Sequence, residues 1–244
     1  MTPTRLIELG EIAPTSIRVI IESGGPPEPT PAIEQRWEAM RKQNPRLFNA
    51  PVLSFEGFNA GVIVARRDSY QRLAVQAGAR VPVEPAVMQL SVTGLITARD
   101  TEGTRHVLVG RRSHATRIYG GLWELGPSGG IDPPPLSQTS LDGLDVFRQL
   151  VVEMREETGI PADPDPGPIL AITVDDEATS ADLVMRIDLA RPVEEIIAHS
   201  ESARSFGWEY ETTRWIPCRD FGRFEAASAC IPPTTALTPI VERL

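Results

Sequence analysis

Apolar positions recur along this chain with two different periods. Between residues 5 and 22 they alternate or run together, with Leu6, Ile7 and Leu9 followed by Ile17, Val19, Ile20 and Ile21. That pattern predicts two short strands. A cluster of breakers, Ser23-Gly24-Gly25-Pro26-Pro27-Glu28-Pro29, separates them from a segment in which Ile33, Trp37 and Met40 fall on one helical stripe. A helix is expected over residues 31–43, ended by Asn44-Pro45 because a residue before proline is pushed out of the helical region. Strand-like pieces follow at 52–55 and 62–65, then a helix at 69–77. A longer apolar stretch over 87–98 predicts a strand, with a turn at 100–103 and a hairpin partner at 106–110.

A further helix is predicted after Asp142, which suits an N-cap, with Asp145 three residues on as a capping partner. Phe147, Leu150, Val151 and Met154 form its apolar stripe, and Gly159 is a natural residue to end it. The last turns carry Glu153, Glu156 and Glu157, spaced i, i+3 and i+4, so all three lie on one helical face. They also sit at the negative end of the helix dipole, where each costs a few tenths to about 1 kcal/mol. A lone acidic turn of this kind is usually a solvated face. Here the concentration of charge at the unfavourable end favours function, because a hard divalent cation with oxygen ligands relieves the repulsion.

Composition narrows the classes. The 244 residues are 41% hydrophobic and can bury a sizeable core. The formal charge of −9 argues against a general nucleic-acid binder, although a bound metal can invert the local field for a phosphorylated small molecule. Two cysteines, Cys218 and Cys230, form neither a disulfide framework nor a zinc pattern. No leader is expected, and the most apolar stretch, residues 86–98, is too short and too interrupted by Gln89, Ser91 and Thr93 to cross a bilayer. A cytoplasmic protein with no membrane partner is the expectation. Gly126-Pro127-Ser128-Gly129-Gly130 satisfies G-x-S-x-G, but a nucleophile elbow needs a helix directly after the serine, and Asp132-Pro133-Pro134-Pro135 forbids one.

Three segments together resemble the Nudix box, G-x5-E-x7-R-E-U-x-E-E-x-G-U with U apolar. They are Gly129-Gly130-Ile131-Asp132, the helix after Asp142, and Glu153-Met154-Arg155-Glu156-Glu157-Thr158-Gly159-Ile160. Gly121-Leu122-Trp123-Glu124-Leu125-Gly126-Pro127-Ser128 looks like the approach to that box, and Val107-Leu108-Val109-Gly110-Arg111-Arg112-Ser113 like the strand before it. The resemblance spans roughly residues 86–220. It departs at two positions: Val152 stands where the box has arginine, and Leu144 where it has its first glutamate. Eight residues are also inserted between Gly130 and Val152. In the family that arginine helps to hold the catalytic glutamate; Arg148 and Arg155 are the candidates to replace it.

The resemblance implies an α/β fold, a Nudix α/β/α sandwich with a mixed sheet over residues 86–244, preceded by a small α+β extension over residues 1–85. It implies Glu153 as metal ligand or base for water, with Glu157 also catalytic, and Glu156 and Glu157 as metal ligands. The carbonyl of Ser128 or Gly129 would complete the sphere. The metal implied is Mg²⁺, with Mn²⁺ as the alternative. In many family members a further glutamate arrives from a loop before the last strand; Glu209 and Glu211 are the candidates, with Glu211 preferred. Arg111 and Arg112 offer forks for phosphate, and as strand neighbours only one of them faces the site. Tyr119 is a candidate to stack on a base or sugar, or to pack beneath the loop. His106, His114 and His199 lack ligand spacing and read as structural.

The motifs Arg36-Trp37-Glu38-Ala39-Met40, Asn44-Pro45-Arg46-Leu47-Phe48-Asn49, Pro51-Val52-Leu53 and Asp68-Ser69-Tyr70-Gln71-Arg72 look like the N-terminal region of Nudix hydrolases acting on UDP-glucose and UDP-galactose. They imply cleavage of a nucleoside diphosphate sugar to a nucleoside monophosphate and a sugar 1-phosphate. ADP-ribose and dinucleotides are the rival substrates, and a catalytically impaired nucleotide-binding protein is the rival class. Nothing in the sequence sets the oligomeric state.

Overall fold

The structure, a computed structural model, describes residues 4–79, 81–161, 163–203 and 209–244. In chain order its regular elements are β1 (Arg5–Ile12), β2 (Arg18–Ile21), α1 (Pro31–Gln43), β3 (Pro51–Asn59), β4 (Val62–Ser69), α2 (Tyr70–Ala79), β5 (Gln89–Arg99) and β6 (Arg105–Arg112). Three short strands follow, β7 (Trp123–Leu125), β8 (Ser128–Gly130) and β9 (Ser140–Asp142), and then α3 (Gly143–Thr158). The chain continues through β10 (Ile169–Asp175), β11 (Ser180–Asp188), α4 (Val193–Ala203), β12 (Tyr210–Pro217), α5 (Phe221–Ala227) and α6 (Pro232–Val241). The fold is mixed α/β, and all these strands join one mixed sheet.

Strand β5 is the axis. It runs parallel to β11 over its whole length and antiparallel to β6, β8 and, at one position, β3. Both of its faces are covered, as a central strand with helices on each side requires. Leu90, Val92, Ile96 and Ala98 pack with Val146, Phe147, Leu150 and Met154 of α3 and with Val193 and Ile196 of α4. Leu95, together with Val107, Val109 and Val184, packs instead with Phe221 and with Leu237, Ile240 and Val241 of α6. The sheet is therefore sandwiched between helices.

Local signals were obeyed closely. Thr30 caps α1 by accepting from the Ile33 amide at 3.4 Å, with proline at the first helical position. Asp142 and Asp145 form a reciprocal capping box on α3, and Gly159 ends that helix in the left-handed region with φ 67°. Strands β3 and β4 run several residues beyond the stretches predicted, because their antiparallel pairing continues past a bulge between Phe55 and Gly57.

Residues of the 1–85 segment build a helical layer in which Ile33, Trp37, Leu73 and Val75 pack on Val52 and Val87, with Trp37 edge-on to Tyr70. Its strands nonetheless belong to the common sheet: β1 pairs with β10, and β3 with β5. The segment also holds the loop inserted before α3. Strand β9, at the end of that loop, pairs with β2. Arg67 of β4 donates to the carbonyls of Pro134, Pro135 and Gln138 at 2.7, 3.0 and 3.1 Å. At the head of α3, Gly143 lies so close to the Pro14 carbonyl that a Cβ would overlap it. Gly143→Ala is therefore expected to lower stability by about 1–3 kcal/mol, the usual range for overpacking, read from urea unfolding. An unchanged midpoint would show that this contact relaxes freely.

Candidate functional site

The apolar stripe of α3 turns one side of the helix into the core, and its last turns reach the end of the sheet near β8 and β12. Glu157 follows the stripe inward and is only 5% exposed, while Glu153 is half-buried and Glu156 exposed. One oxygen of Glu157, Oε2, is buried without a hydrogen-bond partner among the described residues. Burial raises the Glu157 carboxyl far above the ordinary carboxylate range, and the charges of Glu209, Glu124 and Glu153 push the same way. Glu153 is raised to about 7, first by burial and then by Glu209, Glu156 and Asp132.

Glu209 thus joins Glu153 and Glu157, and Glu211 does not. The preference for Glu211 is corrected here. Tyr210 pairs with Arg112 while Thr212 pairs with Arg111, so Glu211 is the extra residue of a β-bulge. The bulge turns it outward, where it lies 3.9 Å from Arg111 and 4.0 Å from His114. Arg111 is correspondingly exposed, with Nε on the Gly121 carbonyl at 3.2 Å. Arg112, on the opposite face, points inward, as strand alternation requires.

Arg112 is not free to grip a phosphate. Its Nη1 donates to both oxygens of Glu124, at 2.6 and 2.7 Å, and Nε to the Ile118 carbonyl at 3.3 Å. Glu124 is 2% exposed; burial raises its carboxyl, and Arg112 partly offsets that effect. Burial likewise opposes the Arg112 charge, which Glu124 and, more weakly, Glu209 sustain. Arg148 and Arg155, the helix candidates for this task, are engaged by Asp145 and Asp163. Val152 is 48% exposed.

Ser128 and Gly129 lie on β8, paired with Thr93 and Val92. A Cβ on Gly129 would overlap the Glu153 carboxylate, so glycine is what allows this close approach. No serine-nucleophile geometry arises, since Ser128 sits within a strand and the next helix begins only at Gly143. His106 binds the Thr104 carbonyl at 3.1 Å, away from the carboxylates.

Among the described residues, no three His, Cys, Asp or Glu side chains close into a ready ligand cage. Instead the carboxyls crowd one another, the charges of Glu209 and Glu153 both acting on Glu157. The orphaned Oε2 of Glu157 and the glycine beside Glu153 both fit a divalent cation held by oxygen ligands.

Beside this cluster opens a cavity of about 270 Å³. Arg112, Tyr119, Glu124, Ser128, Gly129 and Glu209 line it, with Asp175 and Asp182. All of its lining residues fall between Gln89 and Leu237, so residues 4–79 and 81–85 stay outside it. Within the N-terminal motifs, Asn49 and Gln71 bond each other at 2.9 and 3.3 Å, and Asp68 holds the buried Arg72 at 2.9 Å. Tyr119 forms a wall, its hydroxyl donating to Asp175 at 2.8 Å. The sequence reading missed Asp175, Asp182 and the role of Glu124. For Glu124 the signal was present, a charged residue between Trp123 and Leu125 in an otherwise apolar strand.

No protein-family profile and no curated protein matches the sequence. Solved structures resemble it in chain course, among them these three. A Nudix hydrolase from M. smegmatis is 17% identical, with 64% of this chain and 84% of that one covered and a TM-score of 0.43. A Nudix hydrolase from Alicyclobacillus acidocaldarius is 16% identical, covering 64% and 92%, at 0.44. A MutT protein from Methanosarcina mazei Go1 is 20% identical, covering 64% and 93%, at 0.39. At such scores the site stands on its own residues. No helix among the described residues is long and apolar enough to cross a membrane.

Burial raises Asp182 from 3.8 to about 6 despite hydrogen bonds from Ser180 and Thr93. Its folded value lies above its unfolded one, so the group weakens the fold progressively as pH rises from about 4 to about 6. Above that its cost levels off at about 3 kcal/mol, from 1.36 kcal/mol per unit. Asp182→Asn is expected to remove this cost. Urea unfolding at pH 4 and pH 7 should show the variant gaining on the wild type by up to that amount, and an equal difference at both would contradict the assignment.

Proposed function

We propose that this protein is a divalent-metal-dependent hydrolase of the Nudix type that cleaves the diphosphate of a nucleoside diphosphate derivative. The first-choice substrate is a nucleotide sugar of the UDP-glucose type, giving a nucleoside monophosphate and a sugar 1-phosphate. One observation carries the reading: the buried Glu157, with an unpartnered oxygen, is set against Glu153 and Glu209 beneath Gly129. The box-like order of Glu153, Glu156 and Glu157 before Gly159 supports it, as does the adjoining cavity. The UDP-sugar choice rests on the N-terminal motifs alone.

Glu153, Glu156, Glu157 and Glu209 would hold Mg²⁺ or Mn²⁺, with a carbonyl of Ser128 or Gly129. When bound, the cation would neutralise the diphosphate's charge and make water a better nucleophile. The protein supplies the rest. Glu153, half-buried beside Gly129, would serve as a ligand or take the proton from water. Glu124 and Arg112 fix each other within the wall, and Arg112 places a positive charge next to Glu209.

A panel of UDP-glucose, UDP-galactose, ADP-ribose and dinucleotides with Mg²⁺, followed for phosphate-ester products, tests this directly. Turnover of at least one member is expected, and none on any member would sink the reading. Glu157→Gln should cut the rate by about two orders of magnitude or more with the fold unchanged, the scale of a lost catalytic group. The bulge makes a separate forecast: Glu209→Gln should cost far more activity than Glu211→Gln. Equal effects would mean that Glu209 does not face the reaction.

A further inference from the structure

The cavity floor is built where β5 and β11 run side by side, with Gln89 opposite Ser180 and Ser91 opposite Asp182. Further along, the same face carries Leu95 and Val184 and is sealed into the core. At the cavity it turns polar. Thr93 donates to Oδ1 of Asp182 at 3.2 Å, and Ser180 to Oδ2 at 2.7 Å. These partners are hydroxyls rather than cations, so the negative charge of an ionised Asp182, 8% exposed, is framed without being neutralised. An ionised carboxylate has about four acceptor sites, and two of them are used. A core-facing strand has no packing reason to keep such a group, because burying an unpaired charge costs stability.

We infer that this floor receives the non-phosphate end of the substrate, and that Asp182 determines specificity by accepting a hydrogen bond from an N–H or O–H donor on that end. The inference rests on the hydrolase reading for the identity of the substrate and deepens it. Charge decides which end enters. Arg117 also lines the cavity, but it is exposed and turned to the Ala178 carbonyl. The buried lining carries Glu124 and Asp175, with the Arg112 charge spent on Glu124. The floor beside Asp182 therefore disfavours a phosphate and suits an uncharged, donor-bearing group. Size agrees. At about 270 Å³ the space lies below the 300–1,000 Å³ usual for pockets holding whole drug-sized ligands, so it suits one ring system. Tyr119 and Leu237 supply flat and apolar wall for that ring. A nucleobase edge and a sugar's hydroxyls share this donor chemistry.

The test uses the full chain and Asp182→Asn, which keeps shape while replacing one acceptor oxygen with a donor. For any panel member that is turned over, KM should rise about tenfold or more with kcat within about threefold, the mark of a lost binding contact to a charged group. In parallel, saturation-transfer NMR without divalent cation probes uridine, cytidine, adenosine and methyl glucoside. Signals from a nucleoside identify the base as the occupant, and signals from the glycoside identify the sugar; either should vanish in Asp182→Asn. Binding of one probe in a protein that turns nothing over would leave this inference standing while the hydrolase reading fell. Unchanged KM and unchanged probe signals in the variant would overturn it, as would no probe binding to the wild type. Thermal melting guards against misfolding, and Thr93→Val, which removes one of the hydroxyls framing the carboxylate, should raise KM by a smaller factor.

Discussion

Negative charge forced out of water is the constraint around which this fold is organised. Glu157 occupies a nearly dry position at the end of α3, in the field of Glu209, Glu124 and Glu153, and it is ordinary core packing that keeps it there. Leu150, Val151 and Met154 fix the helix rotation, and with it which glutamate turns inward. Gly129 opens the space beside Glu153, and Arg112 supplies a compensating cation from a neighbouring strand. Each element gives up some stability to maintain a cluster that an apolar core would not contain.

That bargain also explains what the departures from the Nudix pattern leave intact. Val152 lies on the solvent side of α3, and Arg148 and Arg155 pair outward with Asp145 and Asp163. Positive charge reaches the carboxylates from β6 instead. Arg112 meets both oxygens of Glu124 through Nη1 while its Nε holds the Ile118 carbonyl. One guanidinium thus ties the carboxylate to the neighbouring loop, which lysine with its single nitrogen does less readily.

Local features of the site could be read in the sequence, and non-local ones could not. The capping box at Asp142 and Asp145, the apolar stripe of α3 and the stop at Gly159 are set by neighbours within one or two turns, and all are found. Glu209 and Glu211, two residues apart, would share a face on an unbroken strand; the bulge at Glu211 separates them, and nothing in the local sequence marks it. Asp182 escaped notice for another reason. Strand β11 is buried on both faces, so alternation gives no inward or outward label, and a polar residue within it stands out only when its partners on β5 are known. Pairing of β9 with β2 spans more than a hundred residues and has no local trace.

The clasp of Arg67 on the proline loop reaches further than its own contacts. A hydrogen-bonded helix behaves as a rod that advances about 1.5 Å per residue and does not stretch along its axis. From Gly143, wedged against Pro14, to Glu157 that rod carries roughly 21 Å of fixed length. A displacement of the loop end along the axis is passed to the carboxylate end. The position of Glu157 along the helix axis is therefore referred in part to residues 14 and 67. The N-terminal segment serves the chemistry as a surveyor's benchmark does, by defining a height without touching what is measured.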